Sequence, residues 1–240
     1  MYIISLTSIR ERTDQLKRTL NSLIAQNLKP NAIYVFISRE PYLLDEGFDD
    51  ATVLNLQEMF ESVKFIFVPN TGPYRKLIPI LKIFHETQQQ GHIITVDDDT
   101  VYEPNMAKKL LKYATKNIVC CGRSRYADID KIKFETTNVV MLDFVCPYQK
   151  ESLNVLPEGV GSICYHSSMF DPVFIYDLSE NTNSMSDFEK TNDDIVIRKY
   201  LYDKKIMVKT THVIYVNTNP ELERGLWWSI NSSIGLKHNR

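Results

Sequence analysis

No apolar stretch in this sequence approaches the roughly 18 residues that a membrane-spanning helix needs. The N-terminus, MYIISLTSIRERTDQ, has too short an apolar run and the wrong flanks for a secretory leader. The expected location is cytoplasmic, peripheral to a membrane at most. A surplus of one charge is missing too. The 28 basic and 30 acidic residues leave a formal net charge of -2, so no global positive field holds nucleic acid by counterion release. Cys120, Cys121, Cys146 and Cys164 form neither a CxxC pair nor a zinc-like Cys/His spacing. A chain of 240 residues with 43% hydrophobic side chains buries enough core to do without disulfide staples, and these thiols are expected inside it. Internal repeats and low-complexity segments are absent from the sequence, and one domain spanning 1–240 is expected.

What is present begins with alternating strand and helix patterns. Tyr2 to Leu6, Ile33 to Ile37, Val63 to Val68 and His92 to Val96 are short apolar, largely β-branched runs. Between them, Leu16, Leu20, Leu23 and Ile24 mark a helix over Arg12 to Gln26, with Thr13 or Asp14 as its cap. Leu54, Leu56, Met59 and Phe60 suggest a second helix. Leu77, Ile80, Leu81 and Phe84 suggest a third over Tyr74 to Gln90, kinked at Pro79. The alternation predicts an α/β fold with a mainly parallel sheet. The second half is less regular, with strands expected at Asn117 to Cys121, Val139 to Phe144 and Ile206 to Val208. A mobile loop is expected over Ser179 to Asn192, and a helix from Asp193 to Tyr202. Trp227 and Trp228 are expected to pack on the core, with stacking on an acceptor sugar or contact with a membrane surface as the alternatives.

In open parallel sheets ligands bind beyond the carboxyl ends of the strands, so the residues just after each run carry the interest. Asp97-Asp98-Asp99 directly follows HIITV. Three successive carboxylates repel one another, and a divalent cation is the simplest compensation; hard oxygen ligands suit Mg²⁺ or Mn²⁺. The plain alternative is a solvated acidic turn before the helix near Pro104. Asp193 and Asp194 open a helix, where the dipole alone favours acids, but where a carboxylate can also serve as general base. In Asn70-Thr71-Gly72-Pro73-Tyr74-Arg75-Lys76, Gly72 permits close approach, the following helix offers N–H groups and Lys76 adds a point charge, a set suited to phosphate. A simple turn is the alternative. The glycines of Pro157-Glu158-Gly159-Val160-Gly161-Ser162 either let a loop approach a sugar ring or make a tight strand-edge turn. His212 stands alone, which favours a structural role over metal ligation.

Taken together and in order, ISLTSIRER, NTGPYRKLIPIL, ITVDDDTVYEP, EGVGSICY and TNDDIVIRKYL resemble the nucleotide-sugar-dependent glycosyltransferases of the GT-A fold. They are most like bacterial and large-virus enzymes that build surface glycans, over about residues 2 to 208. The resemblance implies a Rossmann-like single domain with a nucleotide-sugar-binding half (1–100), an acceptor and catalytic half (101–215) and a C-terminal tail (216–240). It implies donor contacts from Thr7, Ser8, Arg10, Ser38, Gly72, Pro73, Lys76, Asp98 and Gly161. Asp97 and Asp99 match the DxD pair that holds Mn²⁺ or Mg²⁺, and Asp194, with Asp193 beside it, matches the catalytic base. The implied reaction is inverting transfer of a hexosyl or deoxyhexosyl group. The donor is linked to UDP, GDP or dTDP, and the acceptor is a hydroxyl of a glycan, glycolipid or glycoprotein. Gly161-Ser162, where similar enzymes often have a second glycine, and His166-Ser167-Ser168, where they have a proline-rich turn, are departures that bear on the acceptor.

Three rivals use the same residues. Val96 to Val101 also fits the nucleophile loop of a haloacid-dehalogenase-type phosphatase, although that loop usually opens its domain and here strands and helices precede it. A carbohydrate- or nucleotide-binding module without turnover is the second. The third, a nucleotidyltransferase, lacks its Gly-rich basic loop near the N-terminus.

Overall fold

The computed structural model describes residues 1–131, 141–145 (backbone only) and 151–218. Cys146, Trp227, Trp228 and the tail from residue 219 lie outside the described residues. In chain order the elements are β1 (Tyr2–Thr7), α1 (Thr13–Ile24), β2 (Ile33–Ile37), α2 (Asp50–Met59), β3 (Val63–Phe67), α3 (Ile78–Glu86), β4 (His92–Thr95) and β5 (Thr100–Tyr102). Next come α4 (Met106–Leu111), β6 (Ile118–Cys121), β7 (Ser124–Ala127), β8 (Met141–Val145), β9 (Val155–Pro157) and β10 (Ile163–His166). The last are α5 (Pro172–Glu180), α6 (Asp187–Thr191), α7 (Asp193–Asp203), β11 (Met207–Thr210) and β12 (Tyr215–Asn217).

Seven strands form the central sheet in the order β11-β6-β10-β4-β1-β2-β3. Every neighbouring pair is parallel except the two made by β10, which runs antiparallel between β4 and β6. Both faces of this sheet are covered, which is why its strands read as continuous apolar runs. Successive residues of β1 divide between the two sides: Ile4 and Leu6 pack with Leu16, Leu20 and Leu23 of α1, whereas Ile3 packs with Ile80, Leu81 and Phe84 of α3. The three α1 leucines, spaced four and three apart on one helix face, are fully buried. Leu20→Ala there costs about 2–5 kcal/mol. Cys120, Cys121 and Cys164 are buried in the same sheet, as expected of them.

Four local expectations need correction. The cap of α1 is neither Thr13 nor Asp14: a 3₁₀ turn over Arg10–Arg12 leads straight into the helix, and the Thr13 hydroxyl donates back to the Arg10 carbonyl at 2.6 Å. Pro79 does not kink a helix. Residues 72–76 form a separate 3₁₀ turn, and Pro79 sits in the first turn of α3, where its missing N–H costs nothing. The helix also stops at Glu86, short of Gln90. Finally, the polar stretch Ser179 to Asn192 is not a loop. It holds the end of α5, a 3₁₀ turn and α6, the last fixed by a reciprocal capping box between Ser186 and Glu189. Of the expected strand Val139 to Phe144, residues 141–144 lie in β8 and the rest outside the described residues.

A smaller antiparallel sheet, β8-β7-β9, and the pair β12-β5 stand beside the carboxyl edge of the large sheet. Arg198 of α7, fully buried, ties this second half together by donating to the carbonyls of Val155 (2.8 Å), Ile206 (2.9 Å) and Leu153. The β9 strand, α7 and the approach to β11 are therefore tied to one another, and the start of α7 is held against the turn that follows β9.

Candidate active site

A cleft of about 710 Å³ opens along the carboxyl ends of β1, β4 and β6. At its centre stands Lys76. Its Nζ lies 3.1 Å from Asp193 Oδ2, 3.4 Å from Asp97 Oδ1 and 3.6 Å from Asp194 Oδ1. Two acid clusters distant in sequence thus converge on one ammonium. Lys76 reaches this point because Gly72, at φ +62, turns the chain leaving β3 into the 3₁₀ turn. Asp97 arrives from the end of β4, and Asp193 and Asp194 from the first turn of α7. Burial pushes the ammonium down, but the three carboxylates outweigh it and hold Lys76 well above its ordinary value.

The turn after β9 closes the group. Gly159 N donates to Asp194 Oδ2 at 2.7 Å. A Cβ on Gly159 would stand 2.8 Å from Lys76 Nζ, 3.0 Å from Asp97 Oδ1 and 3.3 Å from Asp194 Oδ2, so only glycine fits without displacing these groups. Tyr102 accepts from Asp97 N (3.1 Å) and donates to the Val160 carbonyl (3.4 Å), pinning the acid loop to the same turn. Burial first, then Asp193 and Asp97, lifts Asp194 to about 7 against the pull of Lys76 and the Gly159 N–H.

The rest of the acid loop faces α1 and the turn before it. Asp98, buried, accepts from Ser8 Oγ at 2.6 Å and from Arg12 Nη1 at 3.0 Å, and Thr19 Oγ1 holds its carbonyl at 2.8 Å. Asp99 Oδ2 is 3.6 Å from Arg12 Nη1. Burial, followed by Asp98 and Asp97, raises Asp99 to about 6 even with Arg12 nearby. On the opposite wall Arg75 and Asp45 form a buried ion pair at 2.8 Å. Asp45 also accepts from Gly47 N and Asn70 Nδ2, which fastens the 38–47 loop over the cleft.

Ten of the thirteen residues expected from sequence line this cleft: Thr7, Ser8, Gly72, Pro73, Lys76, Asp97, Asp98 and Asp99, with Asp193 and Asp194. Three do not. Arg10 is half exposed and pairs with Asp49 at 3.6 Å, because the 3₁₀ turn points Arg12, not Arg10, at the acids. Ser38 is buried behind the loop it begins, with its hydroxyl 3.1 Å from Glu40 Oε2. Gly161 lies behind the wall, packed so tightly on Arg123 that a Cβ would come within 2.4 Å. Its neighbour Gly159 holds the position expected of it. His212, exposed, is away from the cleft beside Lys109 and Lys112. Sequence reasoning passed over Arg12, Asp45, Arg75, Glu158 and Gly159. Arg75, Glu158 and Gly159 fell inside motifs already singled out; beside Arg75 the neighbours Gly72, Pro73 and Lys76, which also line the cleft, were preferred, whereas Gly161 was preferred to Gly159.

The family model described as glycosyl transferase family 2 matches residues 6–175, well over half of the chain. The chain belongs to this family. Asp193 and Asp194 lie beyond the matched span, so their assignment rests on geometry. The fold is shared with S. aureus TarS 1-349 (TM-score 0.53, 16% identity, 92% of this chain and 61% of that one). It is also shared with the mannosyltransferase PcManGT from Pyrobaculum calidifontis, solved with GDP-Man and Mn²⁺ (TM-score 0.51, 10% identity, 92% and 57%). A 4-diphosphocytidyl-2C-methyl-D-erythritol synthase shares the fold over 92% of both chains (TM-score 0.52, 8% identity), so the fold alone does not fix the reaction. No curated protein matches the sequence. A family 2 domain with its cleft at the sheet's carboxyl edge is a glycosyltransferase domain of the GT-A type. Among the described residues no helix is long and apolar enough to cross a membrane.

The cleft's charge suits a divalent cation. Among the described residues, Asp97, Asp98, Asp99, Asp193 and Asp194 face only Lys76 and Arg12 in direct ion pairs. Burial first, and then the neighbouring Asp98 and Asp97, raise the Asp99 carboxyl, so a bound cation would relieve part of that strain on its charged form. No three His, Cys, Asp or Glu side chains among the described residues form a closed cage. One or two carboxylates completed by substrate phosphate and water is the binding mode that Mg²⁺ prefers.

Proposed function

We propose that this family 2 domain transfers a sugar from a nucleoside-diphosphate donor to an acceptor hydroxyl with inversion, in the building of surface glycans. The convergence of Asp97, Asp193 and Asp194 on Lys76 carries the reading. It supports a phosphate-binding edge and a base within one pocket. The donor nucleotide, linked through UDP, GDP or dTDP, lies along Thr7, Ser8, Gly72 and Pro73. Asp97 and Asp99 would hold Mn²⁺ or Mg²⁺, whose contribution when bound is Lewis-acid compensation of the diphosphate's charge. Lys76 adds a fixed positive charge beside the same oxygens and orients Asp194.

Asp194 takes the proton of the acceptor hydroxyl as its oxygen bonds to the anomeric carbon. The bond from that carbon to the donor phosphate oxygen breaks, its electron pair leaves with the nucleoside diphosphate, and the configuration inverts. Positioning of the two reactants supplies much of the acceleration. Acceptors are hydroxyls of glycans, glycolipids or glycoproteins, and the transferred group is a hexose or deoxyhexose. The halves 1–100 and 101–215 divide donor from acceptor work, and the enzyme works in the cytoplasm. The phosphatase rival gains nothing from the family match. The test is a thermal-shift screen of UDP, GDP and dTDP with and without Mn²⁺. One nucleotide is expected to stabilise the protein only when the metal is present, and stabilisation indifferent to metal would overturn the cation's role. A nucleotide that binds, with no sugar transferred from any donor, would instead favour a binding module.

A further inference from the structure

We propose that Arg123 and Arg125 form an anion subsite beside the proposed base, so that the acceptor is a sugar bearing a carboxylate or a phosphate. This rests on the glycosyl-transfer reading for which side of the cleft is the acceptor's. Arg125 lies in β7 and Arg123 directly precedes that strand, and both side chains reach the same carboxylate. Both line the cleft. They share a single carboxylate: Arg123 Nε donates to Glu158 Oε2 at 2.5 Å and Arg125 Nε to Glu158 Oε1 at 2.6 Å. Arg123 Nη1 donates to Tyr215 Oη at 3.0 Å.

Two positive charges against one negative leave a surplus of one, on a wall where one arginine would have sufficed to hold Glu158. Among the described residues, neither terminal nitrogen of Arg125 nor Nη2 of Arg123 makes a further hydrogen bond, and none of them is a buried orphan. Those donors therefore face water in the cleft. Glu158 grips only the Nε edges, which leaves terminal N–H groups in the planar arrangement that matches carboxylate or phosphate oxygens.

Location ties this charge to the chemistry. Glu158 is followed directly by Gly159, whose N–H holds Asp194. The carboxylate that both arginines grip and the N–H that holds the base thus belong to adjacent residues of one turn, and the arginines and Asp194 line the same cleft. An anionic group on the accepting sugar or its neighbour would reach them while its hydroxyl faces Asp194. The rest of the cleft is acidic, which makes this the place where an anion is tolerated on the acceptor side.

The experiment titrates the full chain, without nucleotide, with methyl β-glucuronide, methyl glucoside 6-phosphate and neutral methyl β-glucoside, and separately with the nucleoside diphosphate that binds. At least one anionic probe is expected to bind about tenfold or more tightly than the neutral one, and the two anionic arms tell carboxylate from phosphate. Arg125→Gln should erase that preference, Arg125→Lys should restore part of it, and nucleoside diphosphate affinity should hold. Equal binding of all three probes to the unaltered chain overturns the subsite even if Arg125→Gln fails to fold. Weakened nucleotide binding in Arg125→Gln overturns it too, since the arginines would then belong to the donor. A chain that binds no nucleotide sinks the transfer reading, while the probe titration still decides the subsite.

Discussion

Asp194 sits near the midpoint of its titration at neutral pH, because burial and two acidic neighbours oppose the ammonium of Lys76. A general base works only when deprotonated, so kcat/KM is expected to rise as pH passes through about 7 and then level off. Asp194→Asn should remove that limb and lower kcat by about 10²–10⁴, with nucleoside diphosphate affinity by calorimetry unchanged. Full activity in this variant would end the assignment. Gly159→Ala tests the packing of the same group. Its new methyl meets the mobile end of Lys76 and two carboxylate oxygens, not backbone. The expected result is a stability loss below about 2 kcal/mol with at least a tenfold fall in kcat/KM, about 1.4 kcal/mol of transition-state stabilisation. The acids of this site were legible because they stand directly after an apolar strand or at a helix start. Arg12 was not, since choosing it over Arg10 requires knowing that the chain tightens into a 3₁₀ turn after β1.

At the scale of elements, the loop that covers the cleft depends on the buried pair of Arg75 and Asp45. Removing one partner leaves the other charge without compensation, and Asp45→Ala is expected to cost about 3–5 kcal/mol, read as a lower midpoint in urea unfolding. Asp45→Asn, which keeps the acceptor for Gly47 N, should cost less. Nothing in the local pattern around Asp45 announces this role, because its partner arrives from the turn after β3. The α6 helix is different: Ser186 and Glu189 spell a capping box in the sequence itself, and the surrounding polarity obscured it. The strands of the first half were read almost to the residue, since β-branched runs covered on both faces leave little ambiguity. In the small sheet β8 was expected over Val139 to Phe144, whereas β7 and β9 were not, being short and defined by pairing with distant partners.

The molecule as a whole carries more carboxylate than it neutralises along one edge. Asp99 and Asp194 have folded-state values of about 6 and about 7, above the ordinary value near 4. In that window the folded state binds more protons than the unfolded one. Each group's stabilisation is therefore complete below about pH 4 and is lost as pH rises through its folded value. Without metal, the melting temperature is expected to fall between pH 5 and 7 on account of these groups, and Asp194→Asn should flatten its share of the slope. A cation needs deprotonated ligands, so the stabilisation by Mn²⁺ should grow over the same range and disappear in Asp99→Ala. A metal effect independent of pH would show that these carboxylates are not its ligands.

The reversed direction of β10 has a consequence for how this scaffold can be altered. Its parallel neighbours reach the cleft as they leave the sheet, whereas β10 reaches it on the way in, so the Glu158–Ser162 turn is a doorstep laid before the strand begins. Residues 157–162 can be rewritten, as a graft that changes which alcohol is welcomed, without shifting the register of β1, β2 or β4. Retaining glycine at 159 and at 161 is the condition such a graft must respect.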